Sequence, residues 1–456
     1  MRLASNILLA RLLLPDAFAM VSISVLILTG VEMVSDVGIA IMALRHGTLD
    51  AEREARLWTM KFIRGIGLAL FVFAIAGPIA HLYHNEELGH VVRALSLVSA
   101  LQGAQSLYPI LALQRRDLRP SFYIDVGGRV IGTMTSVGFA IASPTVWAIV
   151  AGMLVQSVFA VLASHIMAGR RPRFVFDPAF MRGEWRGGRW IQLASTLTLI
   201  GMQIDKALFP LLFGISVFGL YTIGSTFALI PAQITQKWSA SVFYPLMTTM
   251  LKQGEAARSQ LLRIRFAMLL YSAVITTAMA AVAPSFFILL YKPIYHEAAR
   301  FAQLLALGVF FDVAESSLRH FPLVDGTYRY EVQPVVLRIL MFLILAMGFH
   351  ALGGGAASYA LSYVLAMAIS YFFMLTIDTH RGYLRPYADL RLAGAVLMVQ
   401  LLIYALPLPR MTWVVAMMTG FAVAVVAGAA LLAIYARYGF PSLSADASHD
   451  DQPVAE

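Results

Sequence analysis

Residues 145–167 read TVWAIVAGMLVQSVFAVLASHIM, and no Asp, Glu, Lys or Arg interrupts them. A helix needs roughly 20 apolar residues to cross a bilayer. It is also the open-ended element that satisfies its own backbone hydrogen bonds in lipid. Working outward from this stretch, one hydrophobic segment follows another from Ala4 to Ile434, with gaps too short to hold a soluble domain. At 59% hydrophobic and 13% charged residues, with a mean hydropathy of +0.75, the chain reads as a membrane protein rather than a soluble one. The expected fold class is all-α, a polytopic membrane helix bundle.

Reading the rest for spans yields about fourteen helices. A short one covers Ala4–Leu14, followed by Ala17–Leu44, Leu57–Leu82, Val91–Leu113, Ser121–Ile141 and Thr145–Met167. The second series runs Gly188–Phe213, Val217–Tyr244, Leu261–Leu290, Ala299–His320, Val332–His350 and Ala356–Ile377, with a final pair at Leu392–Leu406 and Trp413–Ala436. This divides the chain into a six-helix lobe at 1–167, a basic connector at 168–187 and a second six-helix lobe at 188–377. An extra two-helix segment at 378–436 and a polar, acidic tail at 437–456 complete it, the tail being expected to lack order.

The net charge of +9 and pI near 9.7 come from basic residues in short loops beside apolar segments. That placement is a topology signal, not a groove for nucleic acid. With both termini in the cytoplasm, most of the 34 lysines and arginines fall on that side, four of them counted after the eighth span, a count that takes in Arg265 at the start of the ninth. The other side keeps Arg11, Arg93, Lys292, Arg300 and Arg410. With no cysteine, thiolate metal sites and disulfides are excluded, and the ten histidines form no H-x-x-x-H or H-E-x-x-H pair. No cofactor is expected, and the start lacks the pattern of a cleaved signal peptide.

A faint echo recurs at a spacing of 200 residues: Leu12-Leu13-Leu14-Pro15-Asp16-Ala17-Phe18-Ala19-Met20 against Leu212-Phe213-Gly214-Ile215-Ser216-Val217-Phe218-Gly219-Leu220. Each opens a long helix at an equivalent point of one lobe, as in transporters built from a parallel repeat. The same residues resemble the oligosaccharide flippases of the multidrug/oligosaccharidyl-lipid/polysaccharide exporter superfamily. Ala10-Arg11-Leu12-Leu13-Leu14-Pro15-Asp16-Ala17-Phe18 is similar to that family's A-R-L-L-x-P-x-x-F-G turn, and Ser35-Asp36-Val37-Gly38-Ile39 to the D-x-G closing its second helix. Asp205, Gly214, Gly219 and Tyr221 follow its D-x-hydrophobics-G-x-x-x-x-G-x-Y pattern, and Tyr244-Pro245-Leu246 its F-P-x-L ending.

The resemblance covers essentially the whole chain. It implies a transporter of the bacterial inner membrane that carries lipid-linked sugar repeat units, usually undecaprenyl-diphosphate-linked, to the periplasmic leaflet by alternating access. The pathways would be lipopolysaccharide or exopolysaccharide biosynthesis, with membrane lipids and a polysaccharide polymerase or export machinery as partners. The family's first helix begins well upstream of the A-R-L-L turn, whereas about ten residues precede it here, roughly half a span.

An ionisable group inside a span costs a few kcal/mol or more, so each is a functional candidate unless it pairs with a neighbour or snorkels to the interface. Glu32 and Asp36 stand at i, i+4 on one face of the second span and could share a proton. Asp125 and Arg129 repeat that spacing and read either as an internal ion pair or as a head-group contact. Asp205 and Lys206 are adjacent and point about 100° apart. Asp312, Glu315 and Arg319 form one polar stripe, and Arg338 stands in the eleventh span.

Arg129, Lys237, Arg319 and Arg338 all fall in the cytoplasmic half, where a diphosphate would load, and arginine forks suit phosphate geometry. These four are the head-group candidates, with Arg129 and Arg338 expected to face one another across the cavity. Glu32, Asp36, Asp205, Asp312 and Glu315 are the candidates for ion coupling or cavity lining. Tyr108, Trp147, Trp190, Tyr291 and Trp413 near span ends read as interface anchors, and Gly353-Gly354-Gly355 as a tight turn.

Two other functions compete with the flippase reading. A multidrug cation exporter of the same superfamily would favour acidic cavity groups and about twelve spans. A polysaccharide polymerase or O-antigen ligase needs a sizeable outer loop, and the longest outer gap here, His81–His90, is short. The expected protein is therefore a carrier and not an enzyme.

Overall fold

The computed structural model describes residues 2–35, 50–115, 117–169, 173–182, 203–238, 243, 246–247, 255–324, 329–382 and 386–405, with 418 and 422. Among them every regular element is helical, and eight helices are long and apolar enough to cross a membrane. Apart from residues 418 and 422, the expected Trp413–Ala436 span and the tail lie outside the described residues, as do residues 188–202 of the expected Gly188–Phe213 span.

The first half holds α1 (Arg2–Ala10), α2 (Pro15–Val34), α3 (Ala51–Leu82), α4 (Glu86–Ala104), α5 (Tyr108–Gln114), α6 (Arg119–Ala142) and α7 (Trp147–Ala168). Local chemistry sets their ends. Asp50 and Asn85 cap α3 and α4 by accepting from the Arg53 and Leu88 amides at 2.9 and 2.8 Å. Pro15 opens α2, where its missing N–H is no loss, and Gly169 closes α7 in the left-handed region at φ 62°.

The second half begins with a helix at residues 203–213, α8. It continues with α9 (Ile215–Ala228), α10 (Ile230–Trp238), α11 (Glu255–Leu290), α12 (Ala298–Val324), α13 (Arg329–Ala351), α14 (Ala356–His380) and α15 (Tyr387–Ala405). The turn expected at Gly353–Gly355 joins α13 to α14, with the Gly354 amide on the Phe349 carbonyl at 2.8 Å. Helix α12 is the hub of this half: 89% of its apolar window is buried, against 22% for α13 and α15.

Lipid is as apolar as leucine, so helices in a membrane associate through close backbone approach and polar contacts. Three such approaches stand out. A Cβ on Gly65 of α3 would lie 2.6 Å from the Gly103 Cα of α4, and one on Gly152 of α7 would lie 2.4 Å from the Gly132 carbonyl of α6. A Cβ on Gly219 of α9 would lie 2.2 Å from the Pro15 carbonyl of α2. The two halves of the sequence echo therefore touch one another, Pro15 against Gly219.

Two expectations are corrected. Val91–Leu113 is not one helix: α4 ends at Ala104, Gln105 is extended at φ −60° and ψ 140°, and α5 starts at Tyr108. The freed carbonyls find side-chain donors. Trp58 Nε1 donates to Ala104 at 3.4 Å, His165 Nε2 also reaches Ala104, at 2.9 Å, and Lys61 Nζ donates to Gln105 at 3.0 Å. Arg265, counted among the cations of the cytoplasmic side, is not a surface charge. It sits inside α11, 2% exposed, because Asp389 of α15 neutralises it at 2.8 Å.

Candidate functional site

The ionisable groups of the spans gather into distinct clusters, most of them in the second half. Asp205 lies in α8, buried at 2% exposure. Gly214, at φ 83° and ψ 166°, turns the chain between α8 and α9 in a region open essentially to glycine alone. The turn folds Tyr221 back so that its hydroxyl donates to Asp205 Oδ2 at 2.6 Å. Tyr359 of α14 donates to the Asp205 backbone carbonyl at 2.8 Å. Asp205 Oδ1 is buried with no hydrogen-bond partner. The spacing Asp205–Gly214–Gly219–Tyr221 thus has a physical reading: carboxylate, turn, close approach to α2, and hydroxyl returned to the carboxylate.

A second cluster joins α12 to α13. Arg338 spreads its two terminal nitrogens over two carboxylates, Nη1 on Asp312 at 2.8 Å and Nη2 on Glu315. Arg319 Nε lies 3.3 Å from the other Glu315 oxygen. Two cations meet two carboxylates, so the cluster is neutral. The structure therefore brings Asp312, Glu315, Arg319 and Arg338 together, with the arginine fork already filled by carboxylates.

A third cluster was not visible in the sequence. Arg265 donates from Nη2 to Asp389 at 2.8 Å and from Nε to Ser317 of α12 at 3.0 Å. The Tyr371 hydroxyl of α14 lies 3.4 Å from the same Asp389 oxygen. Asp378, buried nearby on α14, has neither oxygen in a hydrogen bond. These residues sit at the edges of apolar runs, where positive-inside bias accounts for an arginine equally well. The one usable signal was that Asp378 and Asp389 bracket a gap otherwise supplied with cations.

In the first half, Glu32 is half-buried and accepts from Ser99 of α4 at 3.3 Å. Its backbone carbonyl and the Ser35 hydroxyl receive the Arg64 guanidinium at 2.6 and 3.1 Å. Asp36 lies outside the described residues, and of Lys237 only the backbone, in α10, is described. Asp125 and Arg129 are both exposed on α6, and no ion pair joins them. Arg129 and Arg338 thus occupy unlike surroundings, one accessible and one enclosed among carboxylates.

Hydrogen bonds also join the halves, and those described gather at one end of the bundle. Arg11 Nε donates to the Leu290 carbonyl at 3.0 Å and Nη2 to Leu289 at 3.4 Å. The Tyr295 hydroxyl donates to Leu13 at 2.9 Å, and that of Tyr83 to Ala207 at 3.1 Å. The Phe18 and Tyr295 rings meet edge-on at 6.2 Å.

Comparison with known proteins agrees with this architecture. The chain is 24% identical over 259 residues to the succinoglycan biosynthesis transport protein ExoT of Rhizobium meliloti, covering 56% of this chain and 52% of that one. It thus spans about half the length of that relative. Among solved structures, the lipid II flippase MurJ in an inward closed conformation superposes with a TM-score of 0.72 at 12% identity, over 96% of both chains. An inward-facing multidrug resistance MATE transporter of the MOP superfamily gives 0.61 at 15% identity, over 87% of this chain and 94% of that one. At such identities the structures establish a shared multi-pass transporter fold. The sequence profile of the family described as "Polysaccharide biosynthesis protein" matches residues 8–291, more than half of the length, and the chain belongs to that family.

Proposed function

We propose that this protein flips undecaprenyl-diphosphate-linked oligosaccharide repeat units from the cytoplasmic to the periplasmic leaflet, by alternating access, for surface or exopolysaccharide biosynthesis. The observation that carries the reading is the pair of helical halves on a flippase fold, tied at one end through Arg11, Tyr83 and Tyr295. The positive-inside rule assigns that end to the periplasm. These contacts then close the outward end, and a cytoplasmic substrate loads from the opposite one.

Within this scheme Arg129 is the accessible cation for the diphosphate, and its fork matches phosphate oxygens two at a time. Arg338 and Arg319 meet a head group only by exchanging the carboxylates that now hold them. Asp205, with one buried oxygen unpartnered, is the site at which a proton or cation would couple to the motion. Every bond of the substrate survives transit, so the role is that of a carrier and not of an enzyme. The protein resides in the inner membrane with both termini in the cytoplasm, upstream of a polymerase or export machinery.

Depleting the protein from cells should trap lipid-linked repeat units in the cytoplasmic leaflet, read by a membrane-impermeant glycosidase or lectin on spheroplasts against inverted vesicles. An unchanged leaflet distribution overturns the proposal.

A further inference from the structure

The connector between the halves does not hang free. Residues 173–177 form no regular element, and from Phe174 to Asp177 exposed and half-buried positions alternate. One side of the segment is pinned to α3. The Val175 amide donates to Thr59 Oγ1 at 2.9 Å, Thr59 itself being fully buried, and Asp177 pairs with Arg56 at 3.2 Å. The chain then enters a short helical turn at residues 178–182, started by the Phe180 amide on Asp177 Oδ1 at 3.0 Å. Phe180 and Met181 pack on a small core of Leu57, Met60 and Leu107. The Arg53 and Arg56 guanidiniums each lie 5.9 Å from the Phe180 ring centre.

The other side presents Phe174 and Phe176, 59% and 61% exposed, with exposed Arg173 and Arg182 at either end of the segment. The height of this face follows from α3. Its 32 residues make a rod of about 48 Å at about 1.5 Å per residue, against a hydrocarbon core of about 30 Å. The surplus belongs at the amino-terminal end, where Glu52, Arg53, Glu54, Arg56 and Lys61 stand. The connector is bolted to that emergent end, so the two phenylalanines ride where hydrocarbon gives way to head groups. Aromatic rings favour that zone, and basic residues beside them favour anionic lipid.

We propose that residues 173–182 are a lipid-surface anchor: Phe174 and Phe176 insert at the head-group boundary of the leaflet on which α3 begins, and Arg173 and Arg182 recruit anionic phospholipid to it. Arg56 is committed to Asp177 and Glu52, which leaves the two outer arginines to meet the head groups. The anchor fixes the height of the link between the halves, whichever substrate they move.

The absence of cysteine makes the test direct. Single cysteines are placed by Phe174→Cys, Phe176→Cys and, as a control at the exposed start of α3, Ala51→Cys. Each full-length protein is labelled with bimane and reconstituted in nanodiscs of phosphatidylcholine, with or without phosphatidylglycerol, doped with a lipid carrying a nitroxide high on its acyl chain. Quenching at 174 and 176 should exceed that at 51 several-fold and increase with phosphatidylglycerol. In an Arg173→Gln/Arg182→Gln background the increase should vanish while basal quenching remains. Quenching no greater than at 51 would mean the face meets water or a protein partner, and the anchor would be refuted. Strong quenching indifferent to phosphatidylglycerol would refute the anionic-lipid half of the proposal. The replaced rings are exposed, so Thr59, Arg56 and the Leu57 core keep the segment in place in every variant.

Discussion

Asp205 has one oxygen held by Tyr221, one buried and bare, and a backbone carbonyl held by Tyr359. Replacing the acid by its amide keeps this shape and abolishes the capacity to carry charge or release a proton. Asp205→Asn is therefore expected to lower transport per molecule severely while insertion and abundance stay near normal, measured by leaflet assay against immunoblot. Normal flipping would reduce Asp205 to a structural role. Arg338 invites the opposite outcome. Removing it leaves the cluster with one negative charge in excess, only Arg319 still facing Glu315, and breaking a buried pair costs about 3–5 kcal/mol. Arg338→Ala should lower the thermal midpoint of the detergent-solubilised protein, and adding Glu315→Gln should restore part of it. A variant of unchanged stability with weakened lipid-diphosphate binding would instead make Arg338 a head-group ligand. At this scale the sequence displayed the charges and hid their pairing. Asp312, Glu315, Arg319 and Arg338 were conspicuous because lipid makes them costly, but Arg338 meets its acids across 26 and 23 residues of chain. Such a long-range fit leaves no mark in local spacing.

Helices were the most legible elements, since apolar length alone defines a span. α6, α7, α12, α13 and α14 begin and end within a few residues of where hydropathy places them. The break at Gln105 was marked only by Gly103, Ser106 and Pro109 within an otherwise apolar run, and the donors that make it tolerable, Trp58, Lys61 and His165, come from other helices. The glycines were legible as a pattern, and their cause emerged with packing. Gly219 lets α9 rest on Pro15, and the obstacle to any side chain there is backbone, which cannot swing aside. Gly219→Val should destabilise by about 1–3 kcal/mol or more, as overpacking does. Gly67→Ala on α3 has nothing within 4 Å to meet and should be neutral or slightly stabilising. Thermal unfolding of the pair distinguishes them; equal losses would mean that helix flexibility, not the approach to α2, is what glycine supplies.

For the molecule as a whole, the contacts between its halves are unusual in chemistry. Arg11, Tyr83 and Tyr295 all donate to backbone carbonyls, so the latch depends on the shape of the chain rather than on a partner side chain. Arg11 also places its cation at the carboxyl end of α11, where the helix dipole is negative. In the proposed alternating-access cycle, outward opening breaks these bonds. Each is worth about 0.5–1.5 kcal/mol net, so their sum is only a few kcal/mol. That is small enough for differential binding of substrate or coupling ion to reverse. Loss of one bond, about 1 kcal/mol, shifts the two-state ratio roughly fivefold. Tyr295→Phe and Arg11→Gln should therefore raise the outward-open population without unfolding either half. Ala19→Cys reports it, because Ala19 is fully buried on α2, the helix seated on α9. Ala148→Cys, equally buried within the first half, serves as the control. An impermeant maleimide applied from the periplasmic side should label Ala19→Cys several-fold faster in either latch variant and Ala148→Cys at its original rate. Equal acceleration at both would indicate a loosened fold, and no acceleration at Ala19→Cys would mean that these bonds do not hold the gate.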